Sequence, residues 1–187
     1  MLKTLSRYLF AATFVVISTA GQVVRSDWPT YRHDGHRSGA TTEQLDESQL
    51  GLAWQWRSAA PPETAWHGPA KWDAYAGLRG LHSMRNYDRV FHVVADEERV
   101  FFGSSSDDSL HCLDLGTGQE DWTFISGGPI RIAPTLWNGN VLFGSDDGYA
   151  YCLNARDGSL QWRFSPSRDE RRVLNNGRCI SFWPVRS

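Results

Sequence analysis

The chain has 187 residues, a formal net charge of -2 and 41% hydrophobic residues. This length suits a single domain, and the near-neutral charge predicts no broad attraction to nucleic acid or to anionic lipid. The 9 Trp, 17 Gly and 8 Pro favour a β-rich fold with large aromatic packing residues and many tight turns.

Residues 1–20 have the pattern of a secretory signal peptide. Lys3 and Arg7 precede an apolar run at residues 8–17, and small residues follow at 18–20. A membrane span takes about 20 apolar residues, so this run is short for one, although an uncleaved anchor is the alternative. Both interpretations predict an exported protein, and no segment after the signal peptide has the pattern of a transmembrane helix.

Residues 21–49 are polar and rich in turn-forming residues, and we interpret them as an N-terminal arm. His33 and His36 flank Asp34, an arrangement that suggests a metal-binding pair. Because the segment has no helical pattern that would place both rings on one face, we favour exposed loop histidines. No metal ligand is assigned here.

A strand is predicted at residues 50–57, where Trp54 precedes a second aromatic residue by two positions. The same Trp-x-aromatic pattern recurs at Trp122 and Trp162. Residues 58–88 then form an insertion rich in Pro and aromatic side chains. Long loops in compact domains are usually functional or disordered. We expect this insertion to pack on the protein's own surface, with a ligand or a protein partner as the alternatives.

Two stretches of the sequence repeat one pattern of short strands and turns at a spacing of about 40 residues, which is typical of propeller arrays. Cys112 and Cys152 occupy equivalent positions, as do Trp122 and Trp162. Four strands are predicted in each repeat, at residues 90–95, 99–103, 109–113 and 120–124 in the first and at residues 130–137, 141–144, 149–153 and 160–164 in the second.

Within the second repeat, Asn138-Gly139 is a strong hairpin signal. Alternation of apolar residues predicts one shared apolar face, which comprises Val141, Phe143, Tyr149, Tyr151, Leu153, Leu160, Trp162 and Phe164.

After the second repeat, residues 165–176 are predicted to form a mixed-charge loop. Arg168, Arg171 and Arg172 suggest an anion site, but the acidic residues between them favour a solvated turn. Residues 178–185 are predicted to begin a third repeat, with Trp183-Pro184 in the place of Ala133-Pro134.

The cysteines are predicted to be free thiols. Equivalent points on neighbouring repeats lie too far apart for a disulfide, which needs Cα atoms within about 7 Å. We therefore expect Cys112 and Cys152 to be buried and to act as small hydrophobic residues. Three cysteines without paired spacing also do not indicate a metal site.

Acidic residues recur in the turn between the second and third strands of each repeat. These are Asp107, Asp108, Asp146 and Asp147. Such carboxylates are suitable Ca²⁺ ligands, but solvated hairpin tips are the preferred interpretation, and no metal site is assigned.

The turn between the third and fourth strands of each repeat contains residues with clear structural roles. Asp114 and Asn154 can accept a bond from the backbone two residues on, and Gly118 and Gly158 suit a left-handed backbone. The tryptophan four residues later is predicted to wedge against the next repeat, with a turn carbonyl as acceptor for its N–H. The repeat positions singled out are therefore Asp114, Gly118, Trp122, Asn154, Gly158, Trp162 and Trp54, and no catalytic residue is assigned.

The pattern small-x-Asp/Asn-x-x-Thr/Asp-Gly-x-x-x-Trp, at residues 112–122 and 152–162, resembles the tryptophan-docking motif of the PQQ-like β-propeller repeats. Residues 28–32 and 37–39 are similar to the N-terminal arm found before many bacterial propellers of this group. The resemblance implies an all-β fold, namely a partial β-propeller of four-stranded antiparallel blades. It would occupy residues 50–187 and contain two full repeats with parts of two flanking ones.

Two kinds of activity are implied by this resemblance. The family includes quinoprotein alcohol and sugar dehydrogenases, which bind PQQ and Ca²⁺, and it also includes non-enzymatic scaffold propellers. No residue here is assignable to a PQQ or Ca²⁺ site, so both cofactors rest on the resemblance alone. We expect an exported, non-catalytic binding or scaffold segment in the periplasm or cell envelope. The alternatives are part of a PQQ- and Ca²⁺-dependent dehydrogenase and a non-functional truncated fragment.

The number of repeats indicates the kind of partner that the segment needs. Propellers usually close with about 4–8 blades, whereas two open blades leave apolar faces without a neighbour. We therefore expect an N-terminal fragment of a larger propeller. Its partner would be the missing blades of that propeller or another protein, and not nucleic acid.

Overall fold

The computed structural model describes residues 27–42, 44–46, 48, 50–59, 92–175 and 178–186. The predicted signal peptide at residues 1–20 and nearly all of the insertion at 58–88 lie outside the described residues. Among the residues that are described, no helix has the length and hydropathy needed to cross a membrane.

Ten antiparallel strands form three sheets in the described part of the chain. The first sheet has the order β1-β2-β3-β4, the second has the order β5-β6-β7-β8, and β9 pairs only with β10. The all-β class and the four-stranded antiparallel blades are therefore confirmed. The strand bounds are β1 Val93–Ala95, β2 Arg99–Gly103, β3 Ser109–Asp114, β4 Glu120–Ile125, β5 Thr135–Trp137, β6 Asn140–Gly144, β7 Ala150–Asn154, β8 Leu160–Phe164, β9 Arg172–Asn175 and β10 Arg178–Ser181.

The predicted hairpin at Asn138-Gly139 joins β5 to β6. Both residues have positive φ, 47° and 72°, as a tight two-residue hairpin turn requires. The strand β5 begins at Thr135, later than predicted, because Pro134 has no N–H to donate to a ladder. Ile130 instead packs against Gly103. A Cβ atom at position 103 would lie only 2.3 Å from the side chain of Ile130.

The prediction of a single apolar face in the second repeat is wrong for Trp162 and Phe164 of β8, whereas Leu160 pairs with Leu153 and shares its face. A register shift between Cys152 and Leu153 pairs Cys152 with Trp162 and Tyr151 with Arg163. Residues that pair directly across a ladder share one face of the sheet. Trp162 therefore lies on the face opposite to Tyr151, and it is 46% exposed.

The hydrophobic core lies between the two four-stranded sheets. Phe101, Leu110 and Cys112 of the first sheet are fully buried, as are Val141 and Leu153 of the second. Phe124 contacts Phe143 and Tyr151 across this core, with ring centroids 6.1 and 5.5 Å apart. The two repeats thus pack face to face as successive layers.

The N-terminal arm crosses both sheets at their first strands. Trp28 exchanges backbone hydrogen bonds with Ala95 of β1, and Leu136 of β5 donates its N–H to the carbonyl of Pro29 at 2.7 Å. Residues 50–57 contain no strand, contrary to prediction, since no described strand pairs with them. A strand requires a hydrogen-bonded neighbour, and the contacts of this segment with the first sheet among the described residues are made by the side chains of Trp54 and Trp56.

The structure corrects the prediction of a loop at residues 165–176, because β9 forms within it and pairs with β10. It also corrects the alignment of the third repeat. Val185 donates its N–H to Ser145 and packs on Gly144, as Ile130 donates to Ser104 and packs on Gly103. Pro184 therefore corresponds to Pro129 rather than to Pro134, because the β9–β10 hairpin lengthens this connection.

Candidate functional site

Two turns receive a tryptophan from the preceding part of the chain. Trp54 donates its indole N–H to the carbonyl of Leu115 at 2.8 Å, and its ring covers Gly118. Trp122 donates to the carbonyl of Ala155 at 3.2 Å, and its ring covers Gly158 in the same way. These turns, residues 114–118 and 154–158, are called the docking turns below.

The docking turns are shaped by local hydrogen bonds. The carboxylate of Asp114 accepts bonds from the backbone N–H and the hydroxyl of Thr117, both at 2.7 Å, and these bonds lower the pKa of Asp114. In the second turn, Asn154 Oδ1 accepts from the N–H of Arg156 at 2.8 Å. Gly118 and Gly158 have φ of 70° and 69°, a backbone region that costs other residues free energy.

Trp162 lies at the equivalent position of the second sheet but contacts no docking turn in the described part of the chain. Its side chain is 46% exposed. The structure thus brings Trp54 to Gly118 and Trp122 to Gly158, whereas Trp162 lines an open groove with Trp137 and Val185 in the described part of the chain.

A buried ion-pair cluster lies at the turn between β6 and β7. Asp146 is completely buried, and its carboxylate accepts from Arg131 Nε at 2.5 Å and from Arg186 Nε at 2.7 Å. Burial of a charge is tolerated only when partners of opposite charge are present. The prediction of a solvated tip at Asp146 is therefore wrong, because Arg131 and Arg186 cover the turn.

Asp147 is also buried, which corrects the same prediction for this residue. Its Oδ2 accepts from the Tyr151 hydroxyl at 2.5 Å and from the N–H of Gly127 at 2.9 Å. Burial and the Asp147 carboxylate raise the pKa of Tyr151, so this phenol stays a hydrogen-bond donor. The carboxylate thus links the second sheet to the segment that follows β4.

The corresponding turn of the first sheet is more open. Asp108 accepts from Arg178 Nη1 at 2.6 Å, which attaches the β9–β10 hairpin to the first sheet. Burial raises the pKa of Asp108 despite the Arg178 charge. Burial also opposes ionisation of Asp107, but hydrogen bonds from Ser104 and Ser109 outweigh it and lower the pKa of Asp107.

His111 occupies the place that Tyr151 has in the second sheet. Its Nε2 lies 3.2 Å from the Ser109 hydroxyl and its Nδ1 lies 2.9 Å from Glu120, which is the spacing of a nucleophile, a base and an orienting acid. However, Ser109 is only 1% exposed, and Asp107 shares the same Nε2 at 3.1 Å. A substrate cannot reach that hydroxyl, so the cluster is structural.

Aromatic rings pack around the imidazole of His111. Phe102 stacks on His111 with ring centroids 5.0 Å apart, and Trp56 contacts both rings, 5.1 Å from His111 and 4.9 Å from Phe102. An apolar groove of about 500 Å³ runs beside Trp56, between residues 54–58 and the first sheet. Sequence reasoning missed His111 as a packed residue, although its place in an apolar strand was a signal.

The remaining candidates do not form a site in the described part of the chain. His33 lies 3.7 Å from Asp34, and no group of three potential metal ligands occurs among the described residues. Arg171 pairs with Asp169 in the exposed segment before β9. All three cysteines are free, and the prediction that Cys112 and Cys152 are buried is confirmed, whereas Cys179 is exposed.

Solved structures resemble this one over part of its length. The crystal structure of BamB from Moraxella catarrhalis is 18% identical, with a TM-score of 0.38, and the match covers 52% of this chain and 37% of that one. For quinohemoprotein alcohol dehydrogenase from Comamonas testosteroni the identity is 20%, the TM-score is 0.50 and the coverage is 79% and 20%. Quinohemoprotein alcohol dehydrogenase ADHIIG from Pseudomonas putida HK5 is 28% identical, with a TM-score of 0.35, and the match covers 38% of this chain and 12% of that one.

This chain therefore spans between 12% and 37% of the length of those proteins. The Comamonas likeness shows the fold, a partial β-propeller. No curated protein matches the sequence significantly. A family model described as outer membrane protein assembly factor BamB matches residues 47–178, which is more than half of the chain. With its repeats, docking turns and stacked four-stranded sheets, the chain belongs to this BamB-like family of PQQ-like β-propeller repeat proteins.

Proposed function

We propose that this chain is part of an exported β-propeller that binds other proteins as a scaffold and performs no catalysis itself. One observation carries this proposal. The buried carboxylates of Asp146 and Asp147, which are the residues best suited to chemistry, bond to Arg131, Arg186 and Tyr151 of the same chain. These groups hold sheets and connecting segments together, which is a structural use.

The family description supports a scaffold role. The matching family is described as an outer membrane protein assembly factor, and such a factor works by contact with other polypeptides. We infer that the partners are proteins or further blades of the same propeller. We also propose the division into a signal peptide at residues 1–20, an arm at 21–49 and an incomplete propeller at 50–187 with an insertion at 58–88.

Export to the periplasm or cell envelope is the second part of the proposal. It rests on the sequence pattern of residues 1–20 and on the assembly role in the family description. Fractionation of a bacterial host that expresses the chain, followed by N-terminal sequencing, tests it. We expect a periplasmic or envelope product that has lost about 20 residues, and a full-length cytoplasmic product contradicts export.

The absence of catalysis is tested with the cofactors of the quinoprotein dehydrogenases. The mature chain is mixed with PQQ and Ca²⁺, and reduction of an electron-accepting dye is followed with alcohols and aldose sugars. An established PQQ dehydrogenase in the same assay is the positive control. We expect no dye reduction above the rate without protein. Cofactor-dependent reduction would overturn the scaffold proposal in favour of a dehydrogenase.

A further inference from the structure

The imidazole of His111, on β3, has a carboxylate at each of its two ring nitrogens. Nδ1 lies 2.9 Å from Glu120 Oε2, and Nε2 lies 3.1 Å from Asp107 Oδ2. The His111 side chain is only 7% exposed, so little water reaches the ring. A neutral imidazole carries one N–H and one bare nitrogen, whereas an imidazolium donates from both nitrogens. Only the charged ring therefore satisfies both carboxylates in this arrangement.

The two carboxylates differ in how firmly they are held. Burial opposes ionisation of Asp107, but hydrogen bonds from Ser104 and Ser109, together with the charge of His111, lower the pKa of Asp107. Glu120, whose side chain is 43% exposed, can turn into solvent. Asp107 is therefore the fixed partner of the ring, and Glu120 is the partner that can be exchanged.

The neutral ring has a different set of partners. The Thr123 hydroxyl lies 3.2 Å from Nδ1, the same nitrogen that contacts Glu120. A hydroxyl can donate to a bare nitrogen, whereas an ionised carboxylate can only accept. On loss of the Nδ1 proton, Thr123 therefore replaces Glu120 as the partner of that nitrogen, while the Nε2–H group stays bonded to Asp107. His111 thus has two defined hydrogen-bond arrangements, one for each charge state.

The charged groups that face the ring are the two carboxylates, from the β2–β3 turn and from β4. On the other side of β3, β2 presents Phe102 to the imidazole. The charged residue of β2, Arg99, alternates to the opposite face, where it pairs with Asp121 of β4. From the segment before the first sheet, Trp56 contacts the imidazole and Arg57 lines the groove beside it. Within the described ranges, a proton on either ring nitrogen therefore has an acidic partner.

Two aromatic rings lie close enough to the imidazole to be affected by its charge. The ring centroid of His111 lies 5.0 Å from that of Phe102 and 5.1 Å from that of Trp56. Both distances are within the about 6 Å over which a cation is attracted to an aromatic ring. Trp56 is, with Trp54, one of the side chains that attach residues 50–57 to the first sheet. Protonation of His111 therefore strengthens this attachment at Trp56.

The second sheet has the same arrangement with a residue that keeps its proton. Phe143 stacks on Tyr151 with ring centroids 5.1 Å apart, as Phe102 stacks on His111. The Tyr151 hydroxyl donates to Asp147, which has the same turn position as the fixed partner of His111. Burial and the Asp147 carboxylate raise the pKa of Tyr151, so this donor does not titrate near neutral pH. Only the first sheet carries a titratable ring at this place.

We propose that His111 is a proton-dependent latch that sets how firmly residues 54–58 are held on the first sheet. In acid the charged ring bridges Asp107 and Glu120 and holds Trp56. As the pH rises the ring loses a proton, Glu120 turns into solvent, and the groove beside Trp56 becomes free to widen. Histidine is the side chain whose charge ordinarily changes between about pH 5 and 8. This inference goes beyond the scaffold proposal, which does not concern pH.

The latch is tested by NMR on the full chain with 15N-labelled tryptophan and histidine. The indole N–H resonance of Trp56 is assigned by its loss in Trp56→Phe. It is followed from about pH 5 to about pH 9, a range that includes the ordinary titration of histidine, together with the ring nitrogens of His111. We expect both signals to move in one step with a shared midpoint. The Trp122 indole, which is bonded to the Ala155 carbonyl, should show no such step.

Matched variants separate the latch from other titrating groups. His111→Tyr copies the second sheet and should abolish the Trp56 step, whereas His36→Gln, in the exposed part of the arm, should retain it. Glu120→Gln should move the midpoint to lower pH by about one unit, because the charged ring loses one of its carboxylates. Glu98→Gln is the control for this shift. Its carboxylate pairs with a guanidinium rather than with the imidazole, so the midpoint should not change.

Three results would each overturn the latch. The first is a Trp56 resonance that shows no step in the folded, unmodified chain. The second is a step that persists in His111→Tyr, and the third is a midpoint that Glu120→Gln does not move. If His111→Tyr loses the circular dichroism signal of β-sheet, His111→Gln takes its place, because an amide keeps its donor without titrating. The same result then applies to that variant.

Discussion

Trp122 of the first sheet donates its indole N–H to the carbonyl of Ala155, in the β7–β8 turn of the second sheet, at 3.2 Å. The same indole covers Gly158, where a Cβ atom would meet the ring at 2.7 Å. Trp54 makes the matching contacts with Leu115 and Gly118. One tryptophan side chain thus joins each pair of neighbouring elements by a hydrogen bond and by ring packing. Substitution of the glycine and substitution of the tryptophan both test this contact.

Gly158→Ala should destabilise the chain by about 1–3 kcal/mol more than Gly139→Ala does, because the new methyl group overpacks the Trp122 contact. The comparison is matched, since φ is 69° at Gly158 and 72° at Gly139, and a Cβ at Gly139 meets nothing within 4 Å. Urea denaturation of both variants measures the difference. Equal losses of stability would mean that the ring does not press on Gly158.

Trp122→Phe should lower the free energy of unfolding by about 1–3 kcal/mol, because the carbonyl of the buried residue Ala155 loses its hydrogen-bond donor. Trp162→Phe is the matched control. Its ring is 46% exposed, and an exposed substitution away from special contacts usually changes stability by less than about 0.5 kcal/mol. Thermal and urea unfolding should separate the variants, and a similar cost for both would contradict the docking contact at Trp122.

Asp146→Asn should lower the stability of the chain by about 3–5 kcal/mol, because the guanidinium of Arg131, whose side chain is only 11% exposed, loses its carboxylate partner. Asp146 is fully buried between Arg131 and Arg186. Asp169→Asn breaks the exposed pair with Arg171 and should cost no more than about 1 kcal/mol. Urea denaturation at neutral pH compares the two variants, and equal values would show that the Asp146 cluster contributes nothing beyond a surface pair.

Only one of the three thiols should react with a thiol-specific reagent at mildly alkaline pH in the folded chain. Cys179 is exposed, whereas Cys112 and Cys152 are buried. Burial raises the pKa of Cys112 to about 12, and the thiol rather than the reactive thiolate is therefore present. Colorimetric titration should detect one thiol in the native chain, none in a Cys179→Ser variant, and all three after unfolding. Two rapidly reacting thiols in the native chain contradict the prediction.

The turn of the N-terminal arm should keep an ionised carboxylate in acid. Hydrogen bonds from the Ser38 hydroxyl and N–H lower the pKa of Asp34 to about 2 from an ordinary value of 3.8. Since the folded pKa is the lower one, the contribution to stability is complete above pH 3.8 and is lost as the pH falls towards about 2. Side-chain NMR titration should show this value, and Ser38→Ala should move it towards 3.8. The Ser48→Ala variant should leave it unchanged.

Sequence alone determined the repeat and most of its local structure. Strand periodicity, the Asn138-Gly139 hairpin and the left-handed positions at Gly118 and Gly158 follow from short-range chemistry, because each depends on residues that are neighbours along the chain. The buried state of Cys112 followed from its place in a repeated apolar strand.

Only the tertiary structure decided which groups meet across larger separations. A register shift at Cys152, which recurs at Cys112 of the first sheet, places Trp162 on the face opposite to Tyr151, and no further four-stranded sheet covers that face in the described part of the chain. Asp146 had the sequence context of a solvated turn, yet Arg186, 40 residues later, and Arg131 enclose it. Long-range contacts of this kind depend on how sheets and connections stack in space. Packing therefore determined which charged groups pair and which side chains are buried, whereas the local sequence determined the turns and the strands.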